Sequence, residues 1–469
     1  MRFHESDQDT IAAIATAPGE GGIGIVRFSG SKALVIADRI FRSQSGRKVA
    51  DQKGFTAQYG CVFSGINPQG ALKVVDEAIL LVMRSPKSYT TEDMVEIQVH
   101  GGMAVLQEVL ALAVHEGARL AGPGEFTQRA FLKGRMDLIQ AEAVLDLIQA
   151  KTEKSRRWAS SQLEGSLSQR VSRMKTQFLQ ILSRLEASID FPEDGLEIGD
   201  NLVPEKTLSG IESELRDLLQ GSETGILVKR GIRVTLWGRP NAGKSSLMNC
   251  LVKQNRVIVT PLPGTTRDVV EEEIQIEGFP VRLCDTAGIQ ENGNLIEKEG
   301  IERSRKAAMG AELVLFVLDA SLPFAPEDEK LYHEIKEKPK ILILNKSDLP
   351  QKIVVSDLQA WRAVVAAVET SCRTQEGITT LEKEIGRWIG GARAGSEDES
   401  VISSVRQRDI LEKILSAVQN AKGASQSCLS PELIAVDIRL AMDHLGELVG
   451  EIVTDDVLEL LFQQFCIGK

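Results

Sequence analysis

The chain has 469 residues, a formal net charge of −11 at pH 7 and 26% charged residues. This length predicts several domains, and the acidic balance disfavours a protein coated in nucleic acid without excluding a local basic groove. The sequence has no apolar run of about 18 residues. Its N-terminal segment is charged, and its six cysteines include no CxxC pair. We therefore expect a cytoplasmic protein with no membrane span, signal peptide, zinc site or disulfide.

Residues 1–124 alternate short strand-like runs with glycine-rich turns, which predicts an α+β domain. Within residues 94–100, one face of the predicted strand is apolar and the other is polar. The apolar face carries Val95, Ile97 and Val99, and the polar face carries Glu96, Gln98 and His100. Taken alone, this alternation is typical of an edge strand with one face in water.

Long helices are predicted over residues 137–190. Asp137 with Gln140 three residues later has the spacing of a capping box. Apolar residues then recur every three or four positions and predict a buried stripe: Leu163, Leu167, Val171, Met174, Phe178, Leu182, Leu185 and Ile189. The Phe191-Pro192 pair is expected to end this helix.

The stretch GRPNAGKS, residues 238–245, is a phosphate-binding loop. It follows the apolar run VTLW and precedes an apolar helical pattern, the strand–loop–helix order that such a loop requires. Backbone N–H groups of the loop and of the helix N-terminus would hold the phosphates. Lys244 is expected to reach the β- and γ-phosphates, and the Ser245 hydroxyl to bind Mg²⁺.

Three further motifs follow in order, each at the end of an apolar run. VRLCDTAG places Asp285 as the acid on the Mg²⁺ side, and NKSD, residues 345–348, places Asp348 as the guanine reader. The Asp348 carboxylate can pair with two N–H groups on guanine, and adenine lacks that donor pair. TSCR, residues 370–373, is expected to lie behind the base. These motifs predict a GTP-binding domain of doubly wound α/β type.

Two details of this domain are unusual. Ile289 follows DTAG where many regulatory GTPases carry a glutamine, and isoleucine cannot orient a water, so hydrolysis needs another group. Acidic residues in this switch, each also compatible with a solvated helix face, are Glu291, Glu297, Glu299 and Glu302. Asn241 lies opposite the threonine-rich residues 259–268, and these oxygens could hold a monovalent cation in the place of an arginine finger.

The chain layout predicts an insertion. Residues 390–400 are rich in glycine, serine and acids and indicate a linker, after which helical periodicity resumes from about Val401 to Phe465. We expect the GTP-binding domain to be inserted into one helical domain built from both flanks; two independent helical domains are the alternative. The predicted parts are 1–124, 125–228, 229–390 and 391–469.

The final motif is FCIGK, residues 465–469. A prenylation box is excluded because lysine is not accepted at its last position. A metal site lacks partner ligands, which leaves a redox thiol or a part of an active site elsewhere in the fold, and we expect the rest of the chain to hold this segment. No GxGxxG motif opens a dinucleotide-binding unit in this sequence.

Taken together, the motifs resemble the MnmE family, also called TrmE, of tRNA-modifying GTPases. The resemblance covers the whole chain and is carried by GRPNAGKSSL, GTTRD, DTAG, EKEGIE at 297–302, Phe191-Pro192 and FCIGK, together with residues 9–30, 88–102 and 123–143. It implies an N-terminal α+β domain that binds folate and dimerises, a discontinuous helical domain and an inserted Ras-like P-loop domain.

The resemblance also implies site residues in the GTPase domain. The family is activated by K⁺ as G domains pair across a dimer, and the matching K⁺ ligands are Asn241, Thr260, Leu262 (backbone) and Thr265. Ser245 and Thr266 match Mg²⁺ positions, and Glu297 matches the catalytic glutamate that acts through water. The expected GTP-binding residues are Asn241, Ala242, Gly243, Lys244, Ser245, Ser246, Thr260, Thr265, Thr266, Asp285, Thr286, Ala287, Gly288, Asn345, Lys346, Asp348, Ser371, Cys372 and Arg373. The chain departs from the family pattern at Gln290 and Pro263.

For the N-terminal domain, the resemblance implies a site for 5-formyl- or 5,10-methylene-tetrahydrofolate. Glu96 matches the acid that pairs with the pterin, and Arg27, Arg135 and Lys469 match further folate positions. Cys466 would then act on the one-carbon unit or on tRNA. With the FAD-dependent partner MnmG (GidA), in a heterotetramer or larger complex, family members install an aminomethyl or carboxymethylaminomethyl group at C5 of the wobble uridine.

Two other functions remain open from the residues. One is a regulatory GTPase that binds RNA or the ribosome without modification chemistry. The other is a folate-dependent one-carbon transferase that GTP only regulates. Binding of reduced folate and of GTP, with and without the FAD-dependent partner, distinguishes the three.

Overall fold

The computed structural model describes residues 9–66, 72–190, 203–255, 271–285, 305–353, 361, 363–390 and 402–469. These residues form two compact units. The first unit comprises the described residues up to Leu145 together with Gly446–Lys469, and the second comprises Asp146–Leu445. The finer division into four parts stays a prediction.

The first unit is built on a seven-stranded sheet in the order β3-β4-β5-β6-β2-β1-β7. Its strands are β1 (Ile11–Ile14), β2 (Gly21–Ser29), β3 (Phe41–Ser43), β4 (Thr56–Ile66), β5 (Leu72–Met83), β6 (Met94–Gly101) and β7 (Arg119–Leu120). Neighbouring strands are antiparallel except for the β1–β7 pair. Helices α1 (Ala33–Ile40) and α2 (Met103–His115) pack on one face and close an apolar core.

Strand β6 has the alternation that the sequence predicts but not the predicted position. Val95, Ile97 and Val99 are buried, whereas Glu96 and Gln98 are only half-buried. The expectation of an edge strand is wrong, because β6 lies between β5 and β2 in the middle of the sheet. Glu96 and Gln98 are therefore half-buried on one face of a central strand and do not lie at the edge of the sheet.

Helices make up the remainder of both units outside the GTP-binding sheet. In chain order they are α3 (Glu125–Leu132), α4 (Leu138–Gln149), α5 (Glu153–Leu163), α6 (Ser166–Asp190), α7 (Glu205–Gln220), α8 (Ser222–Arg230), α12 (Val405–Gln426), α13 (Pro431–Val449) and α14 (Asp455–Phe462). The predicted capping box is confirmed: the Gln140 N–H donates to Asp137 Oδ1 at 2.8 Å, and the Asp137 N–H donates to Gln140 Oε1 at 3.1 Å.

The predicted stripe is confirmed over most of α6. Its buried members are Leu167, Val171, Met174, Phe178 and Leu185, whereas Leu163, Leu182 and Ile189 are only half-buried. Ile181 occupies a buried position that the pattern missed, because the apolar face of a long helix drifts around its axis. The Phe191-Pro192 pair lies outside the described residues.

Helices from both sides of the GTP-binding segment lie against each other in the second unit. Lys422 on α12 pairs with Glu212 on α7 at 3.0 Å, and Arg439 on α13 pairs with Glu186 on α6 at 2.8 Å. Hydrogen bonds from Arg216, Lys422 and Gln419 lower the pKa of Glu212 to about 2. These contacts agree with an inserted GTP-binding domain. The predicted linker lies almost entirely in residues 391–401, outside the described part of the chain.

The GTP-binding segment is a doubly wound α/β fold, as the sequence predicts. Its six-stranded sheet has the order β13-β12-β11-β8-β10-β9, with β9 antiparallel to β10 and the other pairs parallel. The strands are β8 (Ile232–Trp237), β9 (Glu271–Ile276), β10 (Phe279–Asp285), β11 (Leu313–Asp319), β12 (Lys340–Asn345) and β13 (Val364–Thr370). The helices are α9 (Lys244–Asn255), α10 (Pro326–Glu334) and α11 (Ile378–Gly390), and apolar clusters cover both faces.

Among the helices of the described residues, none is long and apolar enough to cross a membrane.

Candidate functional site

The phosphate-binding loop connects the end of β8 to the start of α9. Gly238 has φ +145°, and a Cβ there would lie 2.2 Å from the Val317 carbonyl oxygen. Gly243 has φ +98°, and a Cβ there would lie 2.1 Å from Asn345 Nδ2. Only glycine fits these two positions, because the backbone conformation and the close neighbours both exclude a side chain.

Lys244 is held inside this loop. Its ammonium donates hydrogen bonds to the carbonyl oxygens of Gly238 and Arg239, both at 2.8 Å, and the residue is 8% exposed. Ser245 and Ser246 follow Lys244 in the first turn of α9 and are exposed, at the helix N-terminus where phosphates would bind. The loop therefore presents the cation and the backbone donors that a triphosphate requires.

The guanine-reading acid is in place at the other end of the site. Asp348 Oδ1 accepts a hydrogen bond from Ser371 Oγ at 2.7 Å, and Asp348 Oδ2 lies 3.0 Å from Arg373 Nε. The hydrogen bond from Ser371 is the main cause that lowers the pKa of Asp348. The carboxylate is thus ionised at neutral pH and can accept the two N–H groups of guanine.

Asn345 and Lys346 connect this reader to the phosphate-binding loop. Asn345 Nδ2 donates to the Ala242 carbonyl oxygen at 2.9 Å, and Lys346 Nζ donates to the Asn241 carbonyl oxygen at 3.0 Å. Lys346 also pairs at 2.6 Å with Asp319, the last residue of β11, which the sequence reasoning missed. The signal that could have revealed Asp319 is an acidic residue at the end of the third apolar run. The hydrogen bonds from Lys346 and Ser321 outweigh burial and lower the pKa of Asp319.

Cys372 lies beside Asn345 and is not a reactive thiol. Its Sγ is 3.5 Å from Asn345 Oδ1, and its carbonyl oxygen is 3.7 Å from Cys250 Sγ. Burial, with the neighbouring Cys250, raises the pKa of Cys372 to about 12. The thiol therefore stays protonated and packs behind the site.

Part of the predicted GTPase machinery lies outside the described residues. These residues are Thr260, Leu262, Pro263, Thr265, Thr266, Thr286, Ala287, Gly288, Gln290 and Glu297. Asp285 ends β10, as predicted, and nothing is described of its side chain. Of the expected metal ligands, the described part of the chain thus includes Asn241 and Ser245.

The first unit contains a second polar cluster, centred on Arg27. The β2–β6 register places Arg27 opposite Glu96, and the guanidinium Nε and Nη2 both lie 2.8 Å from Glu96 Oε1. Arg27 Nη1 also donates to the Gly468 carbonyl oxygen at 3.2 Å. One arginine thus joins the polar face of the sheet to the FCIGK segment.

Arg135 joins the same cluster through an aromatic ring that the sequence reasoning missed. Arg135 Nη1 donates to the Ser88 carbonyl oxygen at 2.8 Å, and its guanidinium lies 4.9 Å from the centre of the Tyr89 ring. Arg27 lies 6.0 Å from the same ring and 5.6 Å from the ring of Phe126. Burial raises the pKa of Tyr89, so its hydroxyl stays neutral. No sequence pattern pointed to Tyr89.

The FCIGK segment is anchored to the start of α3. Ile467 forms an antiparallel bridge with Pro123, and the N–H groups of Gly124 and Phe126 donate to the carbonyl oxygens of Cys466 at 3.4 Å and Lys469 at 3.2 Å. Phe465 is buried, whereas Cys466 is exposed. Burial and the nearby Arg27 lower the pKa of Lys469. The segment is thus held by backbone hydrogen bonds and by Arg27, and it leaves Cys466 exposed.

The fold and the first site define a P-loop GTPase with a second polar cluster in its other unit. The helical domain of MnmE matches residues 138–466, and the N-terminal domain of the GTP-binding protein TrmE matches residues 10–135. The tRNA modification GTPase MnmE of Alkaliphilus oremlandii is 42% identical over 98% of this chain and 99% of its own. The protein of the same name from Enterococcus faecalis is 41% identical over 100% of both chains. The chain belongs to the MnmE family.

Among solved structures, the G domain of the T. maritima FeoB iron transporter is 28% identical over 34% of this chain and 98% of its own, with a TM-score of 0.26. The motifs, the sheet order and the family make the protein a GTPase.

Proposed function

We propose that the protein hydrolyses GTP, with Mg²⁺ and K⁺, in the modification of tRNA. The proposal is supported by the presence of two clusters of polar residues in a chain that belongs to the MnmE family. One cluster contains Lys244 and Asp348, which would bind the phosphates and the guanine of GTP, and in the other Arg27 contacts both Glu96 and the FCIGK segment.

For the metal ions, the support is the donor chemistry of the phosphate-binding loop. Asn241 has φ +63°, and its backbone is fixed by the hydrogen bond from Lys346. Its exposed carboxamide oxygen suits a K⁺ ion, and the Ser245 hydroxyl at the start of α9 suits Mg²⁺. We propose that Thr260, Leu262 and Thr265 complete the K⁺ ligands, that Thr266 joins the Mg²⁺ site, and that Glu297 directs the attacking water. K⁺ would supply positive charge to the developing transition state.

The second cluster is proposed to bind a 5-formyl- or 5,10-methylene-tetrahydrofolate. Glu96 is 13% exposed in its side chain and accepts hydrogen bonds, so it fits the pair of N–H donors on a pterin edge. Arg27 holds this carboxylate in place through its Nε and Nη2 groups, both 2.8 Å from Glu96 Oε1. Arg135 and Lys469 add positive charge for the carboxylates of a folate. The bound cofactor would supply a one-carbon unit, and Cys466 would act on that unit or on the tRNA.

The proposed modification is an aminomethyl or carboxymethylaminomethyl group at C5 of the wobble uridine. We propose that the protein acts as a homodimer in the cytoplasm with an FAD-dependent partner, MnmG (GidA), in a heterotetramer or larger complex. The flavin would belong to that partner. The GTPase cycle would then control when the second cluster acts.

The test is mass spectrometry of wobble uridines in tRNA from a strain that lacks the protein. We expect the modification to disappear, to return with the wild-type chain and not to return with Glu96→Gln, which keeps the shape of the side chain but removes its charge. Equilibrium dialysis with reduced folate should show binding to the wild type and weaker binding to the variant. Unchanged uridines with normal GTP binding would instead indicate a regulatory GTPase. Loss of modification without GTP turnover would indicate a transferase that GTP only regulates.

A further inference from the structure

Helix α10 is attached to the phosphate-binding loop by a buried ion pair. Arg239, the second residue of the loop, has its Nε 2.7 Å from Asp328 Oδ1. Asp328 is 1% exposed and the Arg239 side chain is 20% exposed. Just before the loop, Trp237 Nε1 donates to the Leu331 carbonyl oxygen at 3.1 Å. Trp237, at the end of β8, and Arg239, in the loop, are therefore both held by α10.

The carboxylate of Asp328 is itself fixed. Its Oδ2 accepts a hydrogen bond from the Ala325 N–H at 3.1 Å, in the first turn of α10. Burial raises the pKa of Asp328, and the Ala325 hydrogen bond and Arg239 oppose that rise. Buried ion pairs seldom add net stability, so a pair in this position points to a geometric role.

Arg239 transmits this geometry to Lys244. The Arg239 carbonyl oxygen accepts from Lys244 Nζ at 2.8 Å and from the Ala242 N–H at 3.4 Å. The side chain of one residue is thus anchored to α10, while its backbone holds the phosphate-binding ammonium. A shift of the anchor would move the carbonyl that orients Lys244.

We infer that Asp328 is a positioning residue for nucleotide binding, acting through Arg239 on Lys244 and the phosphate-binding loop. The inference rests on the proposed GTP hydrolysis and deepens it, because it assigns a role to a residue on a helix that follows β11. The competing explanation is that the pair only stabilises the fold. That explanation predicts a lower melting temperature with unchanged nucleotide affinity in the folded variant.

Glu327 supplies a matched control. It is the neighbouring acid on α10, lies 3.8 Å from Arg239 Nη1 and is 71% exposed in its side chain. Water screens this contact, so its removal should leave the loop where it is. Asp328→Asn and Glu327→Gln each remove one negative charge without changing the shape of the side chain.

The experiment measures the affinity for fluorescent GDP and GTP analogues, together with kcat and KM for GTP, in the full-length protein. We expect Asp328→Asn to weaken nucleotide affinity about tenfold and to raise KM with a smaller change in kcat, whereas Glu327→Gln keeps wild-type values. Arg239→Gln should weaken binding to a similar extent. The double variant should be no weaker than either single variant, because both act through one contact.

Nucleotide affinity of folded Asp328→Asn equal to that of the wild type would overturn the inference. So would additive losses in the double variant. If circular dichroism shows that Asp328→Asn does not fold, Arg239→Gln decides the question in the same way. If the wild-type protein binds no GTP, the nucleotide site itself is overturned. If the wild type binds GTP normally and the variant does too, only the inference about Asp328 is overturned.

Discussion

Gly468 should control whether the FCIGK segment docks. Its φ is +94°, and a Cβ built there would lie 2.3 Å from the Ile14 carbonyl oxygen. In Gly468→Ala, the left-handed backbone conformation costs about 1–2 kcal/mol. The clash is with backbone, so it can be relieved only by moving the segment away from Ile14.

That movement would stretch two hydrogen bonds. They join Arg27 to the Gly468 carbonyl oxygen and the Phe126 N–H to the Lys469 carbonyl oxygen. Each contributes about 1 kcal/mol, so the total penalty on the docked state is about 3–4 kcal/mol. Such a penalty shifts the docking equilibrium by about two to three orders of magnitude.

Hydrogen–deuterium exchange of the peptide that contains Gly124 and Phe126 measures docking, because both amides donate to the segment. We expect faster exchange in Gly468→Ala, weaker binding of reduced folate and unchanged GTP turnover. Gly423→Ala is the matched control: Gly423 lies within α12, and a Cβ there meets nothing within 4 Å. This control should be neutral or slightly more stable. Unchanged exchange and folate affinity in Gly468→Ala would refute the reasoning.

Three further predictions concern the proposed sites. Asp348→Asn should shift nucleotide preference from GTP towards xanthosine triphosphate, because the amide donates where the carboxylate accepted. Competition binding with both nucleotides checks this shift, and an undiminished preference for GTP would contradict it. GTP turnover should be faster in K⁺ than in Na⁺, and Asn241→Ala should remove that difference while nucleotide binding persists. Equal wild-type rates in both salts would mean that another cation completes the site. Cys466→Ser should abolish tRNA modification, measured by mass spectrometry, and retain K⁺-stimulated hydrolysis, since serine is a poor substitute for a thiolate; normal modification would leave the segment with a packing role only.

The sequence predicted features whose signal is local. The sequence revealed the capping box of Asp137 and Gln140. It also revealed the motifs after β8 and β12 that contain Lys244 and Asp348, because each motif is formed by neighbouring residues. The position of β6 was not, because strand order depends on pairings between distant segments. Its alternating pattern fits an edge strand and a covered central strand equally well.

The same limit explains the residues that the sequence did not reveal. Tyr89 contacts Arg27 and Arg135 only after three segments have come together. Asp328 lies 89 positions from Arg239 along the chain, and its acidic neighbours on α10 look the same in the sequence. What distinguishes Asp328 from Glu327 is burial, 1% against 71% exposure of the side chain. Burial is a property of the folded chain, so no motif could select the right acid.

The charged groups of the nucleotide site have protein partners. Lys244 is held by two carbonyl oxygens, Lys346 by Asp319, and Asp348 by Ser371 and Arg373. GTP can add contacts to these groups, because an ammonium has three donors and a carboxylate accepts several hydrogen bonds. The exposed Arg373 can leave Asp348 at little cost, because water solvates its guanidinium. The Arg239–Asp328 pair is much less exposed than Arg373, and we therefore expect it to stay in place as the ligand enters and leaves.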